Sequence, residues 1–513
     1  MASGLRQSLS ATRRRRAGAL AGLAGALLLG AGCGGSEPLP NVLWIVWDTV
    51  RADRLGIYGG ERPTTPNVDR WAQGARLFED VLAVGATTVP NHAAMFTGLL
   101  PAQHGATNAT PWLDDAHATI AERLSAVGYR TYLWAANPHI TPGANFTRGF
   151  ERAEHPWDPA HQRGALALAR AKANDGSGLA AELEGARIST WAVKDSSTLA
   201  QSALLEWLDA LPDAEPWFAF LNYMEAHRPV VPERRFRRQV MDPAQLERSY
   251  SLDRGWLASW SYTFGLSEYD EQELDTISAV YDAALAELDD LFGQLLVELE
   301  RRGELWNSVV ILTSDHGEHL GEHHMLDHQY SLHEPVLRVP LVIRYPERFA
   351  PGRETRPVMN FDLFPTLLEL AGIGAAEASP SRAVSLLSPR AGRLRLAEYR
   401  APFELPIDDL RKSHPDFDFS PWQRRLRALS ADGYKLVEGS DGRDALYHTT
   451  VDPGETRDLQ GAETERARRM HAQLDAIVAS LDADEGVRMP SPRLSPEERA
   501  RLEALGYGQP GAD

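Results

Sequence analysis

Two aspartates in this chain each end an apolar run, and one of them is followed at once by histidine. Asp48 closes Val42-Leu43-Trp44-Ile45-Val46-Trp47, and Asp315 ends Val309-Val310-Ile311-Leu312-Thr313-Ser314 with His316-Gly317 behind it. A carboxylate at the buried end of such a run is costly unless a cation or a dense set of hydrogen bonds satisfies it. A single Asp there can be a turn cap. Two of them on separate runs, one beside His, are better explained by a shared metal ion. Six of the 16 histidines fall between His316 and His333; a lone histidine is more often structural than catalytic, so only those with further support count. Thr88-Val89-Pro90-Asn91-His92 and the stretch from Asn222 to Pro229 are the other segments rich in reactive types.

Elements able to hold these groups can be read from periodicity. Val42–Trp47 and Val309–Leu312 are continuous apolar runs of strand length, as a parallel sheet buried on both faces requires. Trp217–Tyr223 and Val339–Ile343 read as two more strands. Ile277, Tyr281, Leu285, Leu288, Phe292, Leu295 and Leu299 recur at helical spacing and stop at Gly303. Strands alternating with helices predict an α/β fold with a mostly parallel central sheet flanked by helices. Ligands of such sheets sit beyond the carboxyl ends of strands, where Asp48 and Asp315 fall. Past residue 375 the texture changes. A loop over Gly374–Ser388 precedes short strands at Leu426–Ser430, Tyr434–Val437 and Ala445–His448, then a helix over Ala462–Leu481. These predict a smaller C-terminal antiparallel sheet plus helix. The organisation is therefore a main domain over residues 41–375, a subdomain over 376–485, and a tail over 486–513 with a short helix at Ser495–Leu505.

The chain has 513 residues and a net charge of −18, with ordinary globular proportions of apolar and charged residues. Arg6 and Arg13 to Arg16 lie in the first 33 residues, where no acid occurs, so the remainder carries −23. A body that acidic repels phosphate backbones and excludes bulk nucleic-acid binding. A small anionic ester needs a local positive centre such as a metal ion. Ala17–Gly32 is an uncharged Ala/Leu/Gly stretch behind the basic cluster, too short and glycine-rich to span a bilayer comfortably. It reads as a signal peptide over residues 1–33, followed by a tether over 34–40. Leu29-Gly30-Ala31-Gly32-Cys33 resembles a bacterial lipoprotein box, which implies lipidation at Cys33 as the sole membrane attachment and a place in the bacterial cell envelope. Cys33 is the only cysteine, so no intramolecular disulfide exists.

Several segments together resemble the sulfatase family of the alkaline phosphatase superfamily. Asn41 to Thr49 with Leu55-Gly56-Ile57-Tyr58-Gly59, then Thr65-Pro66-Asn67-Val68-Asp69-Arg70, match its opening strand, loop and helix. Thr88 to Gly98 with Pro101 and His104-Gly105 match its nucleophile segment. Ser314 to Glu318, Leu320 to His323 and Arg338-Val339-Pro340-Leu341 match its metal strand and sequel. Asp362 to Leu368, Tyr447 and Asp452 to Thr456 resemble later elements. The resemblance implies that Asp48, Asp315 and His316 hold one divalent ion (Mn²⁺, Ca²⁺ or Mg²⁺) with Thr88 beside it as a further ligand and the nucleophile. It also implies that His227 contacts the transferred group, and that His328 protonates the leaving oxygen. His92 stands for the arginine that braces the nucleophile loop. It is assigned with Asn137 to substrate binding, Asn137 donating where the family's lysine is absent.

The departures from the pattern carry information. Sulfatases place Cys or Ser at the nucleophile position and oxidise it to formylglycine, whose hydrate expels sulfate. Thr88 cannot become that aldehyde, so no formylglycine is expected. A threonine ester must instead be cleared by water at the central atom, which suits phosphorus. Thr49 stands where the family has a second Asp, removing one metal ligand. The expected function is hydrolysis of sulfuric or phosphoric esters, leaning to phosphodiesters and phosphonate esters, on small anionic molecules or on sulfated or phosphorylated glycans or lipids. One alternative is a phosphoalcohol transferase acting on envelope glycans or lipids. Another is a lipoprotein that binds anionic glycans without turnover, which predicts loss of the metal ligands; Asp48, Asp315 and His316 are all kept.

Overall fold

The continuous apolar runs become neighbouring strands of one sheet. The structure is a computed structural model, which describes residues 38–173, 194–212, 215–374, 382–388, 393–482, 495–498 and 500. The basic cluster, the export segment, Cys33 and most of the tail beyond residue 482 lie outside the described residues. So do residues 375–381 of the loop expected at Gly374–Ser388.

Eight strands form the main sheet: β1 (Asn41–Trp47), β2 (Arg76–Phe78), β3 (Arg130–Ala135), β4 (Arg152–Glu154), β5 (Trp217–Tyr223), β6 (Ser308–Thr313), β7 (Leu341–Arg344) and β8 (Gly352–Glu354). Their spatial order is β8-β2-β7-β6-β1-β5-β3-β4. β1 lies in the middle, parallel to both β5 and β6. The run expected at Val339–Ile343 begins at Leu341 and is antiparallel to both of its neighbours. The physical reason is the connection. After β6 the chain builds the segment around His316–His333 at the carboxyl end of the sheet, and it re-enters from that same end.

Alternate residues of β1 serve opposite faces. Trp44 and Val46 pack with Val89, Ala93 and Phe96 of helix α1 (Thr88–Thr97). Leu43, Ile45 and Trp47 pack with Tyr281, Leu288 and Phe292 of helix α2 (Glu271–Arg302). The sheet is thus covered on both faces, and its strands can be apolar throughout. α2 starts at a reciprocal cap: Asp270 accepts from the Glu273 N–H, and Glu273 reaches back to the Asp270 N–H. It ends where Gly303 takes φ 79°, a left-handed turn that a side chain disfavours.

The C-terminal sheet is antiparallel, in the order β9 (Arg395–Tyr399), β10 (Leu426–Ala431), β11 (Tyr434–Gly439) and β12 (Ala445–Tyr447). Helix α3 (Thr464–Asp482) closes it, with Met470 and Leu474 packed on Leu429, Leu436 and Leu446. β9 was not expected; Arg395-Leu396-Ala397-Glu398-Tyr399 is short, carries two charged residues and follows a loop-like stretch. Among the described residues, no helix is long and apolar enough to cross a membrane.

Candidate active site

Four adjacent strands, β6, β1, β5 and β3, deliver polar groups at their carboxyl ends. Asp315 and His316 follow β6, Asp48 follows β1, Asn222 is the penultimate residue of β5, and Asn137 lies two residues past β3. All are fully buried. Asp48 Oδ2 accepts from Asn137 Nδ2 and from Asn222 Nδ2, each at 2.9 Å. Its Oδ1 has no hydrogen-bond partner among the described residues. Asp315 repeats the arrangement: Oδ1 accepts from the N–H of Thr49 at 3.2 Å and of His316 at 2.9 Å, whereas Oδ2 is left unbonded. His316 Nδ1 donates to the Gly317 carbonyl at 3.0 Å, which places the lone pair on Nε2.

These orphaned atoms converge. Ligand atoms of Asp48, Asp315 and His316 lie within 4.8 Å of one another. Burial, with the Asp315 charge adding to it, pushes Asp48 up to about 7 despite its two asparagine donors. Burial likewise pushes Asp315 up to about 7 against its backbone donors. Burial, reinforced by His328, drives His316 down to about 3, so the ring is neutral. Two carboxylates that resist ionising, beside an imidazole with its lone pair exposed, fit a divalent cation that would relieve all three.

Thr88 is the first residue of α1, and its side chain is fully buried in this cluster. Its hydroxyl donates to His316 Nε2 at 3.4 Å and accepts from Asn137 Nδ2 at 3.4 Å. No side chain caps the first turn of α1, so the positive end of the helix faces the same space. His92, one turn along, donates from Nδ1 to the Thr88 carbonyl at 3.0 Å and lies 3.6 Å from Asp315 Oδ2. Phe96 and Phe220 meet its ring edge to face. These contacts brace the start of the helix.

The remaining imidazoles form a row beside the cluster. The His316 and His328 rings are 4.5 Å apart between centroids, and His328 and His227 are 5.4 Å apart. His328 Nδ1 lies 2.7 Å from Asp327 Oδ1 and 3.6 Å from Glu318 Oε2. Burial alone would lower His328, but the Asp327 and Glu318 carboxylates overcome it and push the ring up to about 10. His227 has the opposite fate, held well below the usual histidine range by burial and by charge on His328. Its Nδ1 donates to the Arg228 carbonyl at 2.7 Å. One histidine is therefore held as an acid beside one held neutral.

All eight residues singled out in the sequence thus meet in one buried cluster. Four partners escaped the sequence reading. Asn222 lay in a recognised segment, but nothing in its neighbours signalled a bond to Asp48. Asp327 and Glu318 flank His328 only through a short hairpin, His319–Leu320 against Leu326–Asp327. Tyr281 carries the fourth role: its hydroxyl donates to the Thr49 carbonyl at 2.8 Å and accepts from the Arg51 N–H at 3.0 Å. It thereby pins a turn in which Thr49 is left-handed at φ 62°. The Thr49 hydroxyl turns to its neighbour's carbonyl, Asp48 O, at 2.7 Å, so this residue serves the site through its N–H alone.

The sulfatase family profile matches residues 40–373. The profile for the C-terminal part of N-sulphoglucosamine sulphohydrolase matches residues 321–481. The chain is 25% identical over 453 residues to YidJ of Escherichia coli, an uncharacterised sulfatase, covering 82% of this chain and 83% of YidJ. It is 24% identical over 497 residues to the N-acetylglucosamine-6-O-sulfatase of Bacteroides thetaiotaomicron, covering 82% and 83%. The fold resembles that of the phosphonate monoester hydrolase of Agrobacterium radiobacter, with a TM-score of 0.64 and 21% identity over 86% of this chain and 95% of the other. With the site and the profile agreeing over most of the main sheet, the chain belongs to the sulfatase family of ester hydrolases, in the alkaline phosphatase superfamily.

Proposed function

We propose that this enzyme hydrolyses phosphodiesters and phosphonate esters through Thr88 as a covalent nucleophile, with one divalent ion held by Asp48, Asp315 and His316. Relatives bear the names of both a sulfatase and a phosphonate ester hydrolase, so the family alone does not choose. The observation that carries the choice is Thr88 itself, buried at the head of α1 with its hydroxyl between His316 and Asn137. A methyl branch on the carbinol carbon bars the aldehyde that sulfatases use to expel sulfate.

When bound, the ion supplies the positive charge against which a hydroxyl ionises and anionic ester oxygens gather. Asn137 orients the Thr88 hydroxyl and Asp48 with one amide, and the first turn of α1 offers its dipole to the ester oxygens. His92 keeps that turn in place. Thr88, its hydroxyl proton released to solvent, bonds through Oγ1 to phosphorus as the bond to the departing alcohol oxygen breaks. That oxygen takes the proton of His328, which Asp327 and Glu318 keep charged. His227 binds the oxygens of the group being transferred. Water then attacks the same phosphorus, His328 recovers a proton from it, and Thr88 leaves. An amino-terminal export signal with lipidation at Cys33 places this activity in the cell envelope, where small anionic esters and phosphorylated or sulfated glycans or lipids are the substrates.

The test uses protein beginning after Cys33, with and without Mn²⁺ or Ca²⁺, beside Thr88→Ala. Turnover of an aryl phosphodiester, a phosphonate ester, a phosphate monoester and an aryl sulfate is compared. Diester or phosphonate turnover that leads the series and vanishes in Thr88→Ala supports the reading. Turnover led by the sulfate sinks it. Metal binding without turnover of any ester points to an acceptor-dependent transferase or a glycan-binding role.

A further inference from the structure

The histidine-rich segment holds donor groups that the ester-cleaving site does not use. His323, exposed, and His333, half-buried, lie face to face with ring centroids 3.8 Å apart and planes 8° apart. His333 Nδ1 is 3.1 Å from Oε2 of Glu455, a buried residue of the C-terminal region that reaches across to meet it. Ligand atoms of the three residues lie within 4.8 Å of one another.

The backbone is bent to bring them together. His323 is left-handed at φ 56° and Glu455 at φ 51°, a conformation that non-glycine residues rarely adopt. The Lys435 ammonium, 2.5 Å from Glu455 Oε1, takes the far oxygen of that carboxylate; Oε2 accepts from the Glu334 N–H at 2.7 Å and turns its second lone pair to the histidine side. Glu322 and Asp452 add negative charge near His323. A cavity of about 230 Å³, lined by His333, Tyr330, Trp422 and Tyr447 among others, opens beside the cluster and has room for waters.

We propose that His323, His333 and Glu455 form a second cation site, selective for a borderline divalent ion of the zinc or nickel type. Two imidazole nitrogens and one carboxylate oxygen are the donor set such ions prefer. Stacked rings send their lone pairs out side by side, so occupancy turns the exposed His323 ring to meet the ion opposite His333. The position of the site gives it a consequence. His328 lies five residues after His323 and five before His333, so the ion would join the two ends of the loop that carries it and tie both to the C-terminal region.

The test counts ions in the full chain. Zn²⁺ is titrated by calorimetry with saturating Mg²⁺ present, and Co²⁺ replaces Zn²⁺ to give a visible ligand-field spectrum. The parent protein is compared with His323→Ala, the pair His323→Ala/His333→Ala, His324→Ala and Asp315→Ala. The expected result is one equivalent of Zn²⁺ lost in the pair, weakened at least about tenfold in His323→Ala, and kept in His324→Ala and Asp315→Ala. His323 is exposed, so its single variant keeps the fold. A pair variant that binds as many equivalents as the parent, or a Co²⁺ spectrum unchanged by it, overturns the proposal. Loss of every Zn²⁺ equivalent in Asp315→Ala overturns it too, because all binding would then belong to the ester-cleaving site.

Discussion

Asn222 donates to Asp48 Oδ2 at 2.9 Å from the adjacent strand, and with Asn137 on the same oxygen it leaves Oδ1 as the one atom of that carboxylate without a partner. The amide thus aims the ligand. Asn222→Ala is expected to weaken divalent-metal affinity by about 10- to 100-fold, the usual effect of losing a bond that orients a ligand. Titration with Mn²⁺ against Thr88-dependent turnover checks this. An unchanged metal midpoint would show that Asp48 needs no such support.

Thr88→Ala should lower kcat by about a thousandfold or more while changing metal affinity far less, because the hydroxyl is the group that forms the new bond. Thr88→Ser keeps the hydroxyl and should keep most of the activity. Equal losses in both variants would place the nucleophile elsewhere.

Asp48 and Asp315, both pushed up to about 7, set the pH dependence of metal binding. Their folded values lie above the unfolded ones, so without an ion they weaken the fold as pH rises from about 4 through 7. A cation must displace their protons below 7. Its affinity should therefore climb by up to about two decades per pH unit there and level off above. Melting temperature with and without Mn²⁺, measured at pH 5, 6, 7 and 8, reads the effect as a growing stabilisation.

His328 is held charged by Asp327, and its acid role matters most for poor leaving groups. Loss of the carboxylate in Asp327→Asn should move the alkaline limb of kcat/KM to lower pH. Alkyl esters should lose activity by about 10²-fold, and aryl esters much less. Asn tolerates the left-handed φ of 76° found at this position, so the variant keeps the turn. A uniform loss across leaving groups would make His328 a purely structural partner.

Tyr281→Phe removes one hydroxyl that serves both the Thr49 carbonyl and the Arg51 N–H. Two buried backbone groups lose their partner, at a cost of about 1–3 kcal/mol. Thermal melting should show the loss, and metal affinity should fall with it because Thr49 also donates to Asp315.

The middle of the main sheet was legible because its strands are buried on both faces and spell out as unbroken apolar runs: β1, β5 and β6 appear where those runs are, whereas β2, β3, β4 and β8 are shorter or more polar and were not expected. α2 was legible from its 3-4 spacing and its closing glycine. The direction of β7 was not, since an apolar run carries no arrow; only the return path of the chain sets it. β9 was hidden by its shortness and by the charges of Arg395 and Glu398. At the site, Asp48, Asp315 and His316 were legible as a set, since two carboxylates ending separate apolar runs, one beside His, share one explanation that a single turn cap does not offer. Their supports were not. Asn222, Tyr281 and Glu318 are ordinary residues whose value arises only when distant segments meet.

That distance has its own consequence. The Thr49 N–H and the Asp315 carboxylate that share a bond are 266 positions apart along the chain, and no two of β1, β6 and α1, which bring Asp48, Asp315 and Thr88 to the cluster, are contiguous in sequence. Asp315 and His316 are adjacent, but Asp48 joins them only where β1 pairs with β6, so no short fragment carries all three. An ion bound by all three residues would therefore be taken up only after β1 and β6 have paired.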